Sequence, residues 1–367
     1  MKQNNGLQFL RFIAAGLVLL VHLPTYALFP FFAGEHRTLS GAIGVDVFFC
    51  ISGLVMYLSV GNKSGARFAA QFAIRRVFRV VPLYFLLTLI LFGLLSVRSG
   101  DFSTLSACLG KSMMFTYCEN NGAYADPIIP MGWSLNYEMF FYFLLLVGLL
   151  IFKQNVLQYV AIGLTALALS GWISNDRIYY VNSIIIEFTF GILLGMYGDI
   201  LRRKISTSVA VVLASLVVAL FLLAMLGTDG PESDLSAVPR MLIHFDTLGT
   251  WPRWIAWGIP SLFLCATCYW LGNKVPASIA KWGDFSYSVY LSQVLVIALY
   301  GTALKFALKS SGLTVPTPSL LHSFGILVST FLVAYVLYYL VEMPWMMLGK
   351  KLSAKTADKT DAAAIRL

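Results

Sequence analysis

Charged residues and cysteines are scarce in this sequence. Only 12% of the 367 residues are Asp, Glu, Lys or Arg, and 59% are hydrophobic, whereas a soluble domain has roughly 25% charged residues. A water-soluble fold cannot cover so much apolar surface, so the composition predicts a polytopic membrane protein. It excludes nucleic-acid binding, secretion and disorder as descriptions of the whole chain, and we expect no nucleic-acid partner.

The five cysteines do not form a metal-binding pattern. Cys265 and Cys268 are spaced as a C-x-x-C pair, but they lie in apolar sequence without a second ligand pair, so we expect no bound metal. Cys108 and Cys118 share one outer loop of the predicted topology and could pair if that loop faces an oxidising compartment. Sequence spacing does not fix the geometry that a disulfide needs, so the pairing stays open.

Apolar segments of about 20 residues, the length that crosses a bilayer, recur along the chain. They predict an all-α fold, a bundle of about ten transmembrane helices that forms one domain over residues 1–349. The polar, Ala- and Lys-rich residues 350–367 predict a disordered cytoplasmic tail. The predicted helices lie near residues 7–29, 43–61, 80–97, 132–152, 156–174, 182–200, 207–227, 252–271, 284–306 and 321–343.

Basic residues predict the orientation of this bundle. With the N-terminus inside, 18 of the 26 Lys and Arg residues fall on the inner side and 8 fall on the outer side. Because cytoplasmic loops carry the excess of basic residues in membrane proteins, both termini are predicted to be cytoplasmic.

Ionisable residues inside the predicted spans are the candidate functional groups, because charges in a bilayer are costly and usually face a protein cavity. Arg11 and His22 lie on nearly one face of the first helix, 11 residues or about 16 Å apart along its axis. We therefore expect Arg11 near the inner surface and His22 in the outer half of the bilayer. Each residue also has a simpler interpretation, a snorkelling cation for Arg11 and a packing hydrogen bond for His22.

Asp46 and Glu138 are expected at the same outer level as His22, because each lies near the start of a helix that runs from outside to inside. A carboxylate that holds a neutral imidazole is the usual arrangement of a general base. The simpler interpretation is that both carboxylates stabilise helix N-termini. Glu187 has a similar outer position, but the residues around it indicate no specific role.

Arg75, Arg76 and Arg79 form a third candidate group, which a helix before Pro82 would bring together. Planar guanidinium groups suit phosphates, although simple anchoring at the cytoplasmic surface would also explain the arginines. The arginines are expected at the inner side of the bilayer and His22 in its outer half, so the arrangement predicts a site with cations inside and acid–base groups outside. It fits a phosphate-carrying donor in the cytoplasm and a hydroxyl acceptor at the outer face.

The segments around these residues resemble a known family. The sequence resembles the membrane acyltransferase 3 family, the bacterial O-acyltransferases of cell-surface glycans, through most of its length. The matching segments, in the order of the family, are LQFLR at 7–11 followed by His22, GVDVFFCISG at 44–53, FAIRRVFRVVP at 72–82, WSLNYE at 133–138, SYSVYL at 286–291 and EMP at 342–344.

The resemblance implies an activity and a location. It implies a ten-helix integral protein of the bacterial cytoplasmic (inner) membrane that transfers an acyl group, acetyl by default, from cytoplasmic acyl-CoA to a carbohydrate. The acceptor would be O-antigen, an exopolysaccharide or a lipid-linked glycan, with membrane lipid around the protein. Arg11 and His22 would be essential, and residues 75–79 would serve the coenzyme. Gln293 departs from the family pattern, which commonly has a histidine there.

These patterns together give one mechanistic hypothesis and one rival. In the hypothesis, His22 takes the proton of the acceptor hydroxyl, and an acyl-His22 intermediate is the variant that sequence does not separate from it. The rival function is a proton-coupled transporter of a glycan or small molecule, although we find no repeated halves. The expected catalytic residues are His22, Glu138 and Asp46, and the expected acyl-CoA-binding residues are Arg11, Arg75, Arg76 and Arg79.

Overall fold

The structure, a computed structural model of the chain, is mostly helical. It describes residues 4–23, 42–100, 102–120, 123–174, 179–209, 211–216, 247–248, 251–310 and 320–364. In chain order, the described helices are α1 (Asn5–His22), α2 (Ile43–Val60), α3 (Ala66–Ser99), α4 (Phe102–Met113), α5 (Gly132–Ile151), α6 (Val156–Ser174), α7 (Ile186–Lys204), α8 (Ile259–Leu271), α9 (Ala277–Ala280), α10 (Ser286–Ser310), α11 (Leu320–Leu337) and α12 (Met343–Ala364).

Short elements complete the described chain. Single 3₁₀ or π turns lie at Ser183–Ile185, Trp254–Gly258, Gly272–Lys274, Lys281–Gly283 and Tyr338–Glu342, and a short helical piece at 207–209 and 211–216 follows α7. Two small antiparallel strand pairs join β1 (Cys118–Asn120) to β2 (Ala123–Ala125) and β3 (Thr247–Leu248) to β4 (Trp251–Pro252).

The expected helical architecture is confirmed in its main feature, since the described chain is mostly helical and contains helices of membrane length. The expected number of ten spans is not reached in the described part of the chain. Seven described helical segments are long and apolar enough to cross a membrane, or eight if the bent pair Ala277–Gly283 and Ser286–Ala303 forms one span. The apolar stretch of α6 is shorter than a full span. The predicted helix 207–227 lies partly outside the described residues, as do residues 24–29 of the first predicted helix.

Two helix boundaries differ from those predicted by hydropathy. α3 begins at Ala66 rather than near residue 80, so the arginines at 75–79 lie inside a 34-residue helix that also contains Pro82. The segment from Lys350, expected to be disordered, is helical as far as Ala364. Both extensions have the same reason: Arg, Lys and Ala are strong helix formers, whereas a hydropathy pattern detects only the apolar part of a helix.

Glycines allow α2 and α7 to pack backbone against backbone. A Cβ atom on Gly53 would approach the Phe188 carbonyl oxygen to 2.1 Å, and one on Gly191 would approach the Cys50 carbonyl oxygen to 2.0 Å. Helices in membranes associate through such small residues, because lipid provides no hydrophobic driving force between them. The α2–α7 pair therefore forms the closely packed centre against which the other helices are positioned.

An ion pair buried in the bundle joins α2 to the segment that precedes α8. Arg253 Nε and Nη2 donate to the two carboxylate oxygens of Asp46, each at 3.0 Å. The side chains are 1% and 0% exposed, and the guanidinium lies over the rings of Trp133 and Trp257. Two parallel hydrogen bonds between oppositely charged groups give both strength and fixed geometry.

Cys108 on α4 and Cys118 on β1 form a disulfide, which decides the pairing that the sequence left open. Ser112 strengthens the same region, since its hydroxyl donates to the Cys108 carbonyl at 2.8 Å and accepts from the Ile128 amide at 2.9 Å. The covalent bond and these hydrogen bonds hold the α3–α5 connection against the bundle. Disulfides persist in oxidising compartments.

Removing the disulfide should destabilise the fold. We expect the double variant Cys108→Ser/Cys118→Ser to lose about 2–4 kcal/mol of unfolding free energy, because the unfolded chain gains entropy. The measurement is thermal unfolding of the purified protein with and without dithiothreitol. The reductant should lower the midpoint of the wild type and of the Cys268→Ser control, but not of the double variant. An equal response of all three proteins would contradict the pairing.

Breaking the buried ion pair should cost more than breaking an exposed one. Arg253→Met leaves the Asp46 carboxylate without its buried partner, which typically costs about 3–5 kcal/mol. The matched control is Lys111→Met, which breaks the exposed pair with Glu119 (2.8 Å) and should cost less than about 1 kcal/mol. Adding Asp46→Asn to Arg253→Met should recover part of the loss in a thermal unfolding measurement. Similar losses of unfolding free energy in the Arg253 and Lys111 variants would show that burial does not determine how much an ion pair contributes to stability.

Candidate functional site

One cavity brings together polar side chains from five helices, and those from three of the helices are charged. It lies among α1, α2, α3, α5 and α10 and has a volume of about 120 Å³, which is enough for several water molecules. Its walls are otherwise apolar, as is usual for ligand sites that use a few placed polar groups. The polar lining residues are Arg11, Ser52, Arg76, Arg79, Ser134, Glu138, Tyr142, Tyr287 and Tyr290.

The cavity is elongated along the helix axes. Its lining on α2 runs from Val45 to Met56, which is about 16 Å at 1.5 Å per residue. Gly44, beside Val45, packs against Val18 of α1, since a Cβ on Gly44 would lie 2.8 Å from the Val18 side chain. One end of the cavity therefore lies about one helical turn from His22.

Arginines supply most of the charge of this cavity. Arg76 lies over two rings, 5.7 Å from the centroid of Phe72 and 5.4 Å from that of Tyr142. Arg11 Nη1 donates to Gln8 Oε1 at 3.3 Å, and Arg79 lines the same space from α3. The arrangement places three guanidinium groups around one water-accessible volume inside an apolar bundle. Such a group suits an anion with several oxygen atoms.

Two carboxylates partly balance the arginines. Glu138 Oε1 accepts hydrogen bonds from Ser52 Oγ at 2.9 Å and from the Tyr142 hydroxyl at 2.5 Å. Glu342 is buried, accepts from Ser288 Oγ at 2.7 Å, and interacts electrostatically with Arg79 and Arg11. Asp284 also lies near Glu342, so the charges of the wider region are nearly balanced. The cavity lining itself has three guanidinium groups and one carboxylate, Glu138, and is therefore cationic before any ligand binds. Glu138 was expected beside His22, and the structure places it instead among the arginines.

Further hydroxyl groups line the cavity on α5 and α10. The Ser134 and Tyr290 hydroxyls lie 2.6 Å apart, and the Tyr290 hydroxyl also donates to the Met131 carbonyl at 3.2 Å. The Tyr287 hydroxyl donates to the Val80 carbonyl at 2.8 Å, which fixes α10 against α3. These hydrogen bonds hold the aromatic wall of the cavity rigid.

His22 is the last residue of α1 and does not line the cavity in the described part of the chain. Its Nδ1 lies 2.8 Å from the Val18 carbonyl oxygen, so Nδ1 carries the hydrogen and the lone pair is on Nε2. Nε2 is buried, and no hydrogen-bond partner for it lies among the described residues. This tautomer is the form of histidine that accepts a proton.

Asp46 and Arg75 also lie outside the cavity. Asp46 is occupied by its buried ion pair with Arg253, and Glu187 is buried next to it. Arg75 is exposed, with its guanidinium 5.8 Å from the ring centroid of Phe68. The catalytic roles expected for His22, Glu138 and Asp46 and the binding roles expected for the arginines remain predictions.

The structure adds residues that the sequence patterns did not single out. Tyr142 lies one turn after Glu138 and Ser52 lies in the GVDVFFCISG segment, so helical spacing and the motif could have indicated both. Arg253 had no such signal, because a single arginine at the start of an apolar run usually marks a membrane boundary. Its partner Asp46 is 207 residues away in the chain.

The described residues contain no group of three or more His, Cys, Asp or Glu side chains that could hold a metal ion. The cavity itself offers guanidinium groups, the Glu138 carboxylate and hydroxyl groups. The guanidinium groups can bind an anionic ligand, and the neighbouring hydroxyl groups can form hydrogen bonds with it.

Comparison with known proteins identifies the family. The model of the acyltransferase domain family Acyl_transf_3 matches residues 4–339. The exopolysaccharide production protein ExoZ of Rhizobium meliloti (strain 1021) is 28% identical over 326 residues, which cover 86% of this chain and 93% of that protein. No solved structure is significantly similar to the chain. Since the family match covers nearly the whole chain and every residue of the cavity, the chain belongs to the Acyl_transf_3 family and is a membrane acyltransferase.

Proposed function

We propose that the protein is an O-acyltransferase that moves an acyl group, acetyl by default, from cytoplasmic acyl-CoA to a hydroxyl group of a polysaccharide. The observation that carries this proposal is the cationic cavity formed by Arg11, Arg76 and Arg79 within the region that matches the acyltransferase family. An acyltransferase needs an activated donor, and the phosphates of coenzyme A are the anions that this cavity suits.

The exposed side of the arginine segment supports the same donor. Arg75 and Lys63 both lie over the Phe68 ring, at 5.8 Å and 5.4 Å from its centroid. Arg76 continues the series inward, over Phe72. In this proposal, the exposed cations hold the outer phosphates of the donor, and the acyl-bearing arm enters the cavity.

Two independent features support the proposed direction of transfer. Basic residues predict that the end of the bundle with Arg75 faces the cytoplasm. The disulfide between Cys108 and Cys118 lies in the connection between α3 and α5, which suggests that this connection faces an oxidising compartment. We therefore propose that the protein lies in the bacterial inner membrane, with the donor inside and the acceptor outside.

His22 is the proposed base. The imidazole takes the proton of the acceptor hydroxyl, the oxygen attacks the thioester carbonyl, and the carbon–sulfur bond breaks as the ester bond forms. The proton then passes to the departing thiolate, so that free coenzyme A leaves. In the covalent variant, His22 first accepts the acyl group and then gives it to the hydroxyl. The Nε2 lone pair, which has no hydrogen-bond partner among the described residues, supports either route.

The acceptor is proposed from the relative. The similar protein of Rhizobium meliloti is named for exopolysaccharide production, so an exopolysaccharide or its lipid-linked precursor is the preferred acceptor of this chain. O-antigen is the broader alternative within the same chemistry. Analysis of surface polysaccharide from cells with and without the gene would identify the modified sugar.

Replacing His22 should abolish transfer without abolishing donor binding. We expect His22→Ala to lower the transfer of label from acetyl-CoA to polysaccharide at least about 100-fold, the contribution of a general base. The control is His322→Ala, which removes the histidine that contacts Tyr300 on α10 and should leave transfer unchanged. Transfer by the His22 variant at the rate of the wild type would exclude His22 from the chemistry.

Replacing Arg76 should weaken donor binding selectively. We expect Arg76→Gln to raise the KM for acetyl-CoA about tenfold or more, because a hydrogen bond between charged groups contributes about 1.5–3 kcal/mol. Arg98→Gln is the matched control, since Arg98 is exposed near the other end of the same helix. Steady-state kinetics at varied donor concentration measures both variants. A KM for acetyl-CoA that is the same in Arg76→Gln as in the wild type would indicate that Arg76 only anchors the helix at the membrane surface.

A further inference from the structure

The cationic cavity has one end with an uncharged lining. We call it the Phe48 end and define it by its lining residues Val45, Phe48, Ser134 and Tyr290. Ser134 lies on α5, eight residues before Tyr142, whose ring lies under the Arg76 guanidinium. Eight residues are about 12 Å of helix. The cavity therefore combines a part lined by arginine with an uncharged part about two turns away along α5.

Two aromatic rings, those of Phe48 and Tyr290, are in contact at the Phe48 end. Their centroids lie 5.8 Å apart in an edge-to-face arrangement, which is a normal contact distance for such a pair. The Tyr290 hydroxyl lies 2.6 Å from Ser134 Oγ and 3.2 Å from the Met131 carbonyl oxygen. Phe48 packs against the cluster of apolar side chains around Leu19 of α1. The ring pair is therefore held in place from both sides.

The Phe48 end lies next to the turn of α1 that carries His22. Gly44, one turn before Phe48 on α2, packs against the Val18 side chain, and His22 Nδ1 lies 2.8 Å from the Val18 carbonyl oxygen. A donor with its phosphates at the arginines would thus direct its acyl group towards the ring pair on the way to His22.

We propose that Phe48 and Tyr290 are specificity-determining residues that restrict the donor to a short acyl group. The cavity volume of about 120 Å³ extends along about 16 Å of α2, so the space for the acyl-bearing arm is narrow. Each added methylene has to displace the Phe48 ring or the hydrogen-bonded Tyr290 ring, and forcing methylenes into a packed site is unfavourable. This role rests on the proposed function, in which the acyl-bearing arm enters the cavity from the arginines.

The first test compares acetyl-CoA, propionyl-CoA and butyryl-CoA as donors for the wild type. The three donors share the coenzyme and differ only in the number of methylene groups. We expect kcat/KM for transfer to polysaccharide to fall about tenfold or more for each added methylene. Equal values for the three donors would overturn the restriction and leave the proposed acyl transfer intact. No transfer from any of them would contradict the proposed function and this role with it.

Variants then locate the restriction. Phe48→Ala removes one ring of the pair, so the ratio of kcat/KM for butyryl-CoA to that for acetyl-CoA should rise about tenfold or more. Phe48→Leu keeps an apolar side chain for packing against α1 and should raise the same ratio to a smaller extent.

The matched control is Phe143→Ala, which removes a ring of α5 that is 59% exposed and should leave the ratio unchanged. A purely structural role of Phe48 would lower kcat/KM for both donors together and leave their ratio as in the wild type. An unchanged ratio in both Phe48 variants would therefore overturn the assignment to the ring pair.

Discussion

The structure depends on the need to compensate charges that are buried in an apolar bundle. The pair of Asp46 and Arg253, almost fully buried, shows the requirement in its simplest form, with one guanidinium and one carboxylate in two hydrogen bonds. Arg253 is also enclosed by two tryptophan rings. Removing either partner would leave a charge where neither water nor lipid can solvate it.

In the cationic cavity, the buried charges are compensated only in part by neighbouring side chains. Among the described lining residues, Glu138 alone offsets Arg11, Arg76 and Arg79, and only in part, so the remaining positive charge of the lining can be balanced by a ligand. A complete set of internal ion pairs would make the site stable but unreceptive to an anion. The proposed binding of a phosphate-bearing donor depends on this incomplete balance, which distinguishes the cavity from the structural pair at Asp46.

The sequence placed most helices correctly, because apolar runs of membrane length are a strong signal. It misplaced the start of α3 and expected no helix beyond residue 350, since helical segments that leave the apolar layer have no hydropathy signal. The motif segments also indicated Arg11, Arg76, Arg79 and Glu138, which the fold brings into one cavity. The expectation that Glu138 and Asp46 lie beside His22 was based on depth in the bilayer, and depth does not specify which way a side chain points.

Composition and spacing by themselves determined that this is a helical membrane protein with a few ionisable residues inside its apolar segments, because burial in lipid restricts both features strongly. Only the tertiary structure decided the partners: Arg253 for Asp46, Ser52 and Tyr142 for Glu138, and Cys118 for Cys108. Such pairings depend on how helices rotate and pack against one another. That packing is set by contacts between distant segments, such as Gly53 with Phe188, and one segment of sequence does not encode it.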